Sequence, residues 1–189
     1  MSGDISRDTF RKEKHYESVR LQQGRALLDA DFNEQCEITS YRNEQEAIDV
    51  VGSCGAPFQR SGFRIVKNNT DLTEKEKGKW KNGNLDCTAP DFIITAGLYY
   101  IDGILCENDF NILFSGQPNY PNPQPVEEGL NLAYLDCWKR SITAVEDPHI
   151  REMALGGPDT ATRLQTVWQV KTKRLPNDVK TDFTCSRDH

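Results

Sequence analysis

Large apolar residues are sparse at the start of the chain, where only Ile5 and Phe10 stand among the charged residues of the first 15. Two isolated apolar groups cannot form a core, so residues 1–15 are predicted to be an extended arm. Such an arm is disordered or laid on a neighbouring subunit, with the two side chains suited to anchoring in pockets. From Tyr16 to Leu28 the loose alternation of YESVRLQQGRALL, with Gly24 in its middle, predicts a short strand, a turn and re-entry into the next element. The clearest helix follows. Asp29 or Asp31 caps its N-terminus, and the pattern runs to about Val51 before Gly52 and Gly55 stop it. Its apolar stripe of Phe32, Ile38, Tyr41, Ala47, Ile48 and Val51 is incomplete and lies among Asn, Glu and Arg residues. A helix patterned in this way belongs on a surface or between subunits.

Beyond the helix the pattern turns to strands and long polar loops. Ser61 to Val66 is strand-like, and the tract from Lys67 to Asn84 offers only Leu72 and Trp80 as apolar anchors. Phe92 to Thr95, a turn at Ala96-Gly97, Leu98 to Ile101, Asp102-Gly103 and Ile104 to Glu107 read as consecutive hairpin strands. Asp-Gly suits a type I′ turn, because both central residues need positive φ. The four prolines between Ser115 and Gly129 exclude a central strand or helix interior and predict an exposed connector. Leu132 to Val145 and Thr166 to Lys173 read as strands. Between them, Asp147-Pro148 predicts a capped helical turn or two over Ile150 to Leu155, ended by Gly156-Gly157-Pro158. The tail KTDFTCSRDH trails away. These elements make an α+β fold: a mainly antiparallel β-sheet, one long N-terminal helix, an extended N-terminal arm and long irregular loops. With 189 residues, the expected organisation is the arm (1–15) followed by a single mixed domain (16–189).

Charge narrows the class of partner. A net charge of −6 argues against nucleic acid, since phosphate binding draws on clustered Lys and Arg. The basic residues from Lys75 to Lys81 alternate with glutamate, glycine and tryptophan and read as a solvated loop. No apolar run approaches the ~20 residues that cross a bilayer, and the start lacks the apolar core of a secretion signal. Assembly in the cytoplasm is expected, with export only as part of a larger particle, released or membrane-anchored. The six cysteines, Cys36, Cys54, Cys87, Cys106, Cys137 and Cys185, show no Cys-x-x-Cys spacing. They are expected to be small buried hydrophobes and not zinc ligands or a disulfide framework.

Residues suited to catalysis are thinly supplied. The histidines are His15, His149 and His189, and no Gly-x-Ser-x-Gly elbow accompanies them. Asp29, Asp31 and Asn33 copy the opening of a calcium loop, but Glu34 stands where glycine is needed and Ser40 where glutamate is needed. Helix capping is the better account. The run from Gly156 to Thr160 lacks the Gly-Lys-Ser/Thr of a phosphate loop and reads as a turn. Trp138, Trp168, Tyr99, Tyr100, Tyr134 and Phe92 fit a core or a subunit contact better than a sugar platform. No enzymatic activity, cofactor or metal is expected.

GDISRDTF (3–10), HYESVRLQQGRALLDADFNEQ (15–35), GLYYIDGILCEN (97–108) and the run from Leu132 to Lys171 are more specific than any of these patterns. Together they resemble a domain family found beside phage-tail and extracellular contractile injection genes. The stretch from Val19 to Glu34, V-x-x-Q-x-G-R-x-L with a later Asn-Glu, is also similar to the start of some phage tail and baseplate proteins. The resemblance spans Gly3 to Lys171 and is silent in the loops around Lys75 and Pro121. It implies a structural subunit at a baseplate, spike or cap, with other tail and baseplate subunits as partners and three or six symmetric copies. It carries no catalytic residue. Family members are usually longer, so the chain looks like an N-terminal attachment domain or a reduced member. The candidate assembly interface is Ile5, Phe10, Tyr16, Arg25, Phe32, Tyr41 and Ile48. The alternatives are a receptor- or glycan-binding tip built on Trp80, Trp138 and the proline-rich loop, or a cell-wall-degrading enzyme.

Overall fold

The computed structural model describes residues 5–81, 87 and 90–176. The tail KTDFTCSRDH lies outside them. The fold is α+β, with one long helix and mostly antiparallel strands, and the chain groups into two compact units. Among the described residues no helix is long and apolar enough to cross a membrane.

The first unit combines residues up to 50 with residues 139–165. Its main element is α1 (Asp29–Val51), which begins and ends where the apolar pattern places it. Gly52, at φ 92°, takes the left-handed conformation that ends a helix. Before the helix, Tyr16 to Leu28 forms no strand; the expected turn is present, closed by the Arg25 N–H on the Gln22 carbonyl with Gly24 at φ 73°. The alternation there has no strand to pair with, and an isolated strand leaves its backbone unbonded. In the same unit, Pro148–Ile150 and Met153–Leu155 are single 3₁₀ turns. Asp147 accepts the His149 N–H and Glu152 the Ala154 N–H, and Gly156 at φ 87° ends the second turn.

The second unit, residues 51–138 with those from 166 onward, holds the hydrophobic core. One antiparallel sheet has the order β1 (Cys54–Gly55), β4 (Gly97–Ile101), β5 (Ile104–Asn108), and another the order β2 (Ile65–Val66), β3 (Ile93–Ile94), β6 (Ile112–Leu113). The short helix α2 (Glu74–Lys77) carries a reciprocal capping box between Thr73 and Glu76. A ribbon of β7 (Asn131–Ile142) and β8 (Arg163–Arg174) completes the strands. Its ends are antiparallel, because the Leu175 N–H donates to the Leu130 carbonyl at 2.9 Å.

The Asp102-Gly103 turn forms as predicted, with φ 46° and 79°, and joins β4 to β5. Ala96-Gly97 does not close a hairpin: β3 and β4 lie in different sheets. Thr95 explains why. Its backbone exchanges hydrogen bonds with Phe63 and Arg64, its hydroxyl accepts the Arg64 N–H at 3.0 Å, and it is fully buried. At Gly97 (φ 147°) the chain leaves one sheet for the other, pressed against Gly62 so closely that a Cβ on Gly62 would stand 2.4 Å from the Gly97 Cα.

Ile93 and Ile94 are both wholly buried and face opposite ways. Ile94 joins Phe63, Phe92, Cys106, Phe114, Trp168 and Val170, while Ile93 joins Val66 and Leu72. β3 is therefore packed on both faces. Phe63 meets Trp168 edge-to-face at 4.8 Å, and Phe92 lies 4.7 Å from Phe114. Phe63 reaches that position at φ 61°, a region bulky residues avoid unless the surrounding packing holds them there. The proline-rich connector is less exposed than its composition predicts. Tyr120 and Val126 pack on the core, and Gln117 is buried with its amide hydrogen-bonded to both backbone groups of Val170.

Candidate assembly surface

In the first unit, polar contacts tie the arm and the end of β7 to α1. Ser6 donates its N–H and hydroxyl to the Asp29 carboxylate, Thr9 bonds to Glu34, and the Val19 N–H donates to Gln35 at 2.8 Å. The arm thus runs along α1 and reverses through the 3₁₀ turn Lys12–Lys14, where His15 takes φ 55°. The Ser6 hydrogen bonds hold the Asp29 carboxyl below the usual carboxylate range. On the far strand, Lys139 contacts both Ser40 and Glu44 of α1, and Arg140 pairs with Glu146 at 2.7 Å.

Many apolar side chains, by contrast, are left in solvent, although Ala30, Ile38, Ile142 and Ala144 of this unit are buried. Of the 23 residues of α1 only Ala30 and Ile38 are buried, and neither buried apolar cluster includes a residue of this unit. Phe32 is 63% exposed, Leu27 64%, Met153 78% and Val145 85%. Leu21, Leu28, Val50, Leu155 and Leu164 are also exposed. Normal surfaces carry single exposed apolar residues; this many within one small unit is what an uncovered contact surface looks like.

The seven residues singled out in the sequence fall in this unit with different surroundings. Phe10 and Tyr41 meet, their ring centroids 5.7 Å apart, so the arm's aromatic group is anchored on the helix of its own chain. Ile48 is half-buried. Ile5, Tyr16, Arg25 and Phe32 are exposed. Sequence reasoning missed Leu27, Leu28, Val145, Met153, Leu155 and Leu164. The Leu27-Leu28 pair just ahead of a polar helix was the available signal; the residues of the Val145 to Leu164 segment had none, because short turns obey no apolar period.

Among the described residues no group of three or more His, Cys, Asp or Glu side chains converges as a metal site would require. Asp29, first residue of the apparent calcium spacing, is engaged by Ser6. His149 is exposed in its turn. Of the tryptophans, Trp168 is buried and donates to the Glu107 carbonyl at 2.7 Å, Trp80 packs on the Val66 cluster, and Trp138 stays partly exposed. Trp80 also lines an open cleft of about 200 Å³ with Asn69, Thr70, Leu72 and Lys77. Lys77, its only charged wall, is paired with Glu74.

The cysteines divide. Cys106 is fully buried, as expected, whereas Cys36 is exposed. Cys54 is disulfide-bonded, which the wide sequence spacing gave no reason to expect. Cys106 and Cys137 are free thiols, and Cys137 packs against the buried cluster that contains Cys106. The neighbouring Cys137 side chain, then burial, pushes the Cys106 thiol up, while the Cys106 side chain draws Cys137 down against burial and the charges of Asp136 and Asp102.

Comparison with curated proteins and with solved structures finds no match. A family model does match, over residues 1–181, and by that match the chain belongs to DUF6519, a family of unknown function.

Proposed function

We propose that this protein is a structural assembly subunit of a phage-tail-like contractile injection particle, placed at its baseplate, spike or cap. It is made in the cytoplasm and present in symmetric copies beside other tail subunits, and it performs no catalysis. The observation that carries the reading is the uncovered apolar surface of the first unit. A long helix gains most of its stability by packing an apolar face, not from propensity, yet α1 buries two side chains. Covering a side chain such as Phe32 or Leu27 fully contributes about 1.5–3 kcal/mol. Part of that is offset by the cost of association, so several such residues acting together are needed, and the unit carries them. The resemblance of the segments 3–10, 15–35, 97–108 and 132–171 to proteins of injection systems supplies the kind of particle.

The test is oligomeric state and partner capture with the full chain. The purified protein is expected to associate at micromolar concentration or with co-expressed tail subunits, and Leu27→Asp with Phe32→Asp to abolish this without changing its melting point. A monomer at all concentrations, with the arm and α1 fully protected from hydrogen exchange and no partner bound, refutes the reading. Tyr134 and Trp138, both exposed and on one face of β7, favour the receptor- or glycan-binding tip as a second reading. Glycan-array binding lost on Trp138→Ala selects that alternative.

A further inference from the structure

We infer that the arm, residues 5–11, is exchanged between copies of this chain: each copy lays its arm on the α1 of a neighbouring copy and receives a neighbour's arm in return. The inference rests on the assembly reading and names the element that the copies share. The seat is defined by three contacts. Ser6 bonds to Asp29, Thr9 to Glu34, and the ring of Phe10 lies on that of Tyr41, so the arm runs along α1 in the direction of the helix. All of them belong to the first unit. Residues 5–8 and 11 are exposed and only Thr9 and Phe10 are half-buried, so the arm leaves its seat without opening a core. A neighbour's α1 offers the same three partners, and exchange of an identical element keeps every contact it breaks.

The chain between arm and helix is built to open. Lys12–Lys14 is a single 3₁₀ turn closed by two backbone hydrogen bonds, Lys14 N–H to the Arg11 carbonyl and His15 N–H to the Lys12 carbonyl, with no side-chain cap and no buried residue. His15 ends it at φ 55°, in the left-handed region that residues with a side chain enter at a cost. Straightening the turn removes that cost. Val19 meanwhile stays tied to Gln35 of its own α1. Extended, residues 11–18 reach ~27 Å, against about 8–10 Å between the axes of two packed helices, so the arm spans to a helix lying alongside. Leu28 and Phe32 give a reason for a second helix to lie there. They stand one turn apart beside Asp29, on one face, and with the arm in its seat they are still 45% and 63% exposed. Folding the arm back on its own helix leaves both in water, whereas a second α1 covers them.

The experiment co-expresses two full-length chains of different mass, both carrying Cys36→Ser to remove the exposed thiol, one with Ser6→Cys and the other with Asp29→Cys. Mild oxidation joins these two positions only where the arm of one chain lies on the helix of the other. A disulfide-linked heterodimer is expected on a non-reducing gel, with peptide mapping placing the link between positions 6 and 29. The pair Thr9→Cys and Glu34→Cys repeats the test one contact further along, independently of Asp29 and its place at the start of the helix. Phe10→Ala on the arm-donating chain is expected to cut the yield severalfold, which accidental proximity within an oligomer would not do. Light scattering on the same samples separates the two ways of failing. Oligomers that give no link between chains, while a chain carrying both cysteines links within itself, overturn the exchange and leave the assembly reading standing. A monomer at every concentration with no link between chains overturns both.

Discussion

Replacing Gln117 by leucine removes an amide that acts as the neighbouring strand of β8. Its Nε2 donates to the carbonyls of Val170 at 2.9 Å and Phe114 at 3.0 Å, and its Oε1 accepts the Val170 N–H at 2.7 Å. Gln117 is 4% exposed and Val170 3%, so water does not reach these groups readily. Leucine keeps most of the volume but leaves one buried N–H and two buried carbonyls without that partner. At roughly 1.5 kcal/mol per stranded group, less about 1 kcal/mol for the apolar surface gained, the loss is about 3–4 kcal/mol. For a chain of this size that lowers the melting temperature by roughly 10 °C. Thermal and urea unfolding by circular dichroism, with tryptophan fluorescence following the buried Trp168, measure it. Gln169→Leu serves as the reference, because it loses the single bond from Gln169 to the Asn119 carbonyl and costs about 1 kcal/mol. If Gln117→Leu melts within about 2 °C of the parent, or no lower than Gln169→Leu, the side chain is not a strand surrogate and the reasoning fails.

Other perturbations test separate parts of the structure. Gly62→Ala places a methyl 2.4 Å from the Gly97 Cα, backbone against backbone, and is expected to cost more than about 3 kcal/mol or prevent folding; near-parental stability in urea would contradict the close approach. Burial raises the Glu76 carboxyl, but hydrogen bonds from Arg64 and Thr73 and the charge of Arg64 outweigh it, leaving it below the ordinary 4.5. A lowered folded value means stability present above pH 4.5 and lost as pH falls through that folded value. Because Arg64 is about half exposed, the loss is on the order of 1 kcal/mol, and Glu76→Gln should flatten this part of the acid limb of a stability–pH curve. Phe10→Ala removes the ring that lies on Tyr41 and is expected to speed proteolysis and amide exchange in residues 5–15 severalfold, leaving the Trp168 transition unchanged; unchanged exchange in the arm would show that the ring contact does not hold it.

Much of the fold was legible because it rests on local rules. The limits of α1 follow from acidic residues at its start and Gly52 at its end, and the Asp102-Gly103 turn from the positive φ it requires. The exposed apolar surface was partly legible: an incomplete apolar stripe pointed to α1, and Phe32 stands exposed there. The clasp of the arm was not. Ser6 meets Asp29 and Thr9 meets Glu34 across more than 20 residues, and no periodicity encodes such pairs. The two-residue strands β1, β2, β3 and β6 are too short for alternation to announce them.

The sequence by itself determined the α+β class, the long polar-faced helix and the hairpin turn, because propensity, capping and turn geometry act over a few neighbouring residues. Only the tertiary structure decided that Ala96-Gly97 switches sheets, that Gln117 enters the core from a proline-rich loop, and that Ser6 and Thr9 clasp α1. Each of these is a contact between distant segments, chosen by which buried backbone groups and apolar faces find partners in three dimensions, and that choice leaves no local mark on the chain.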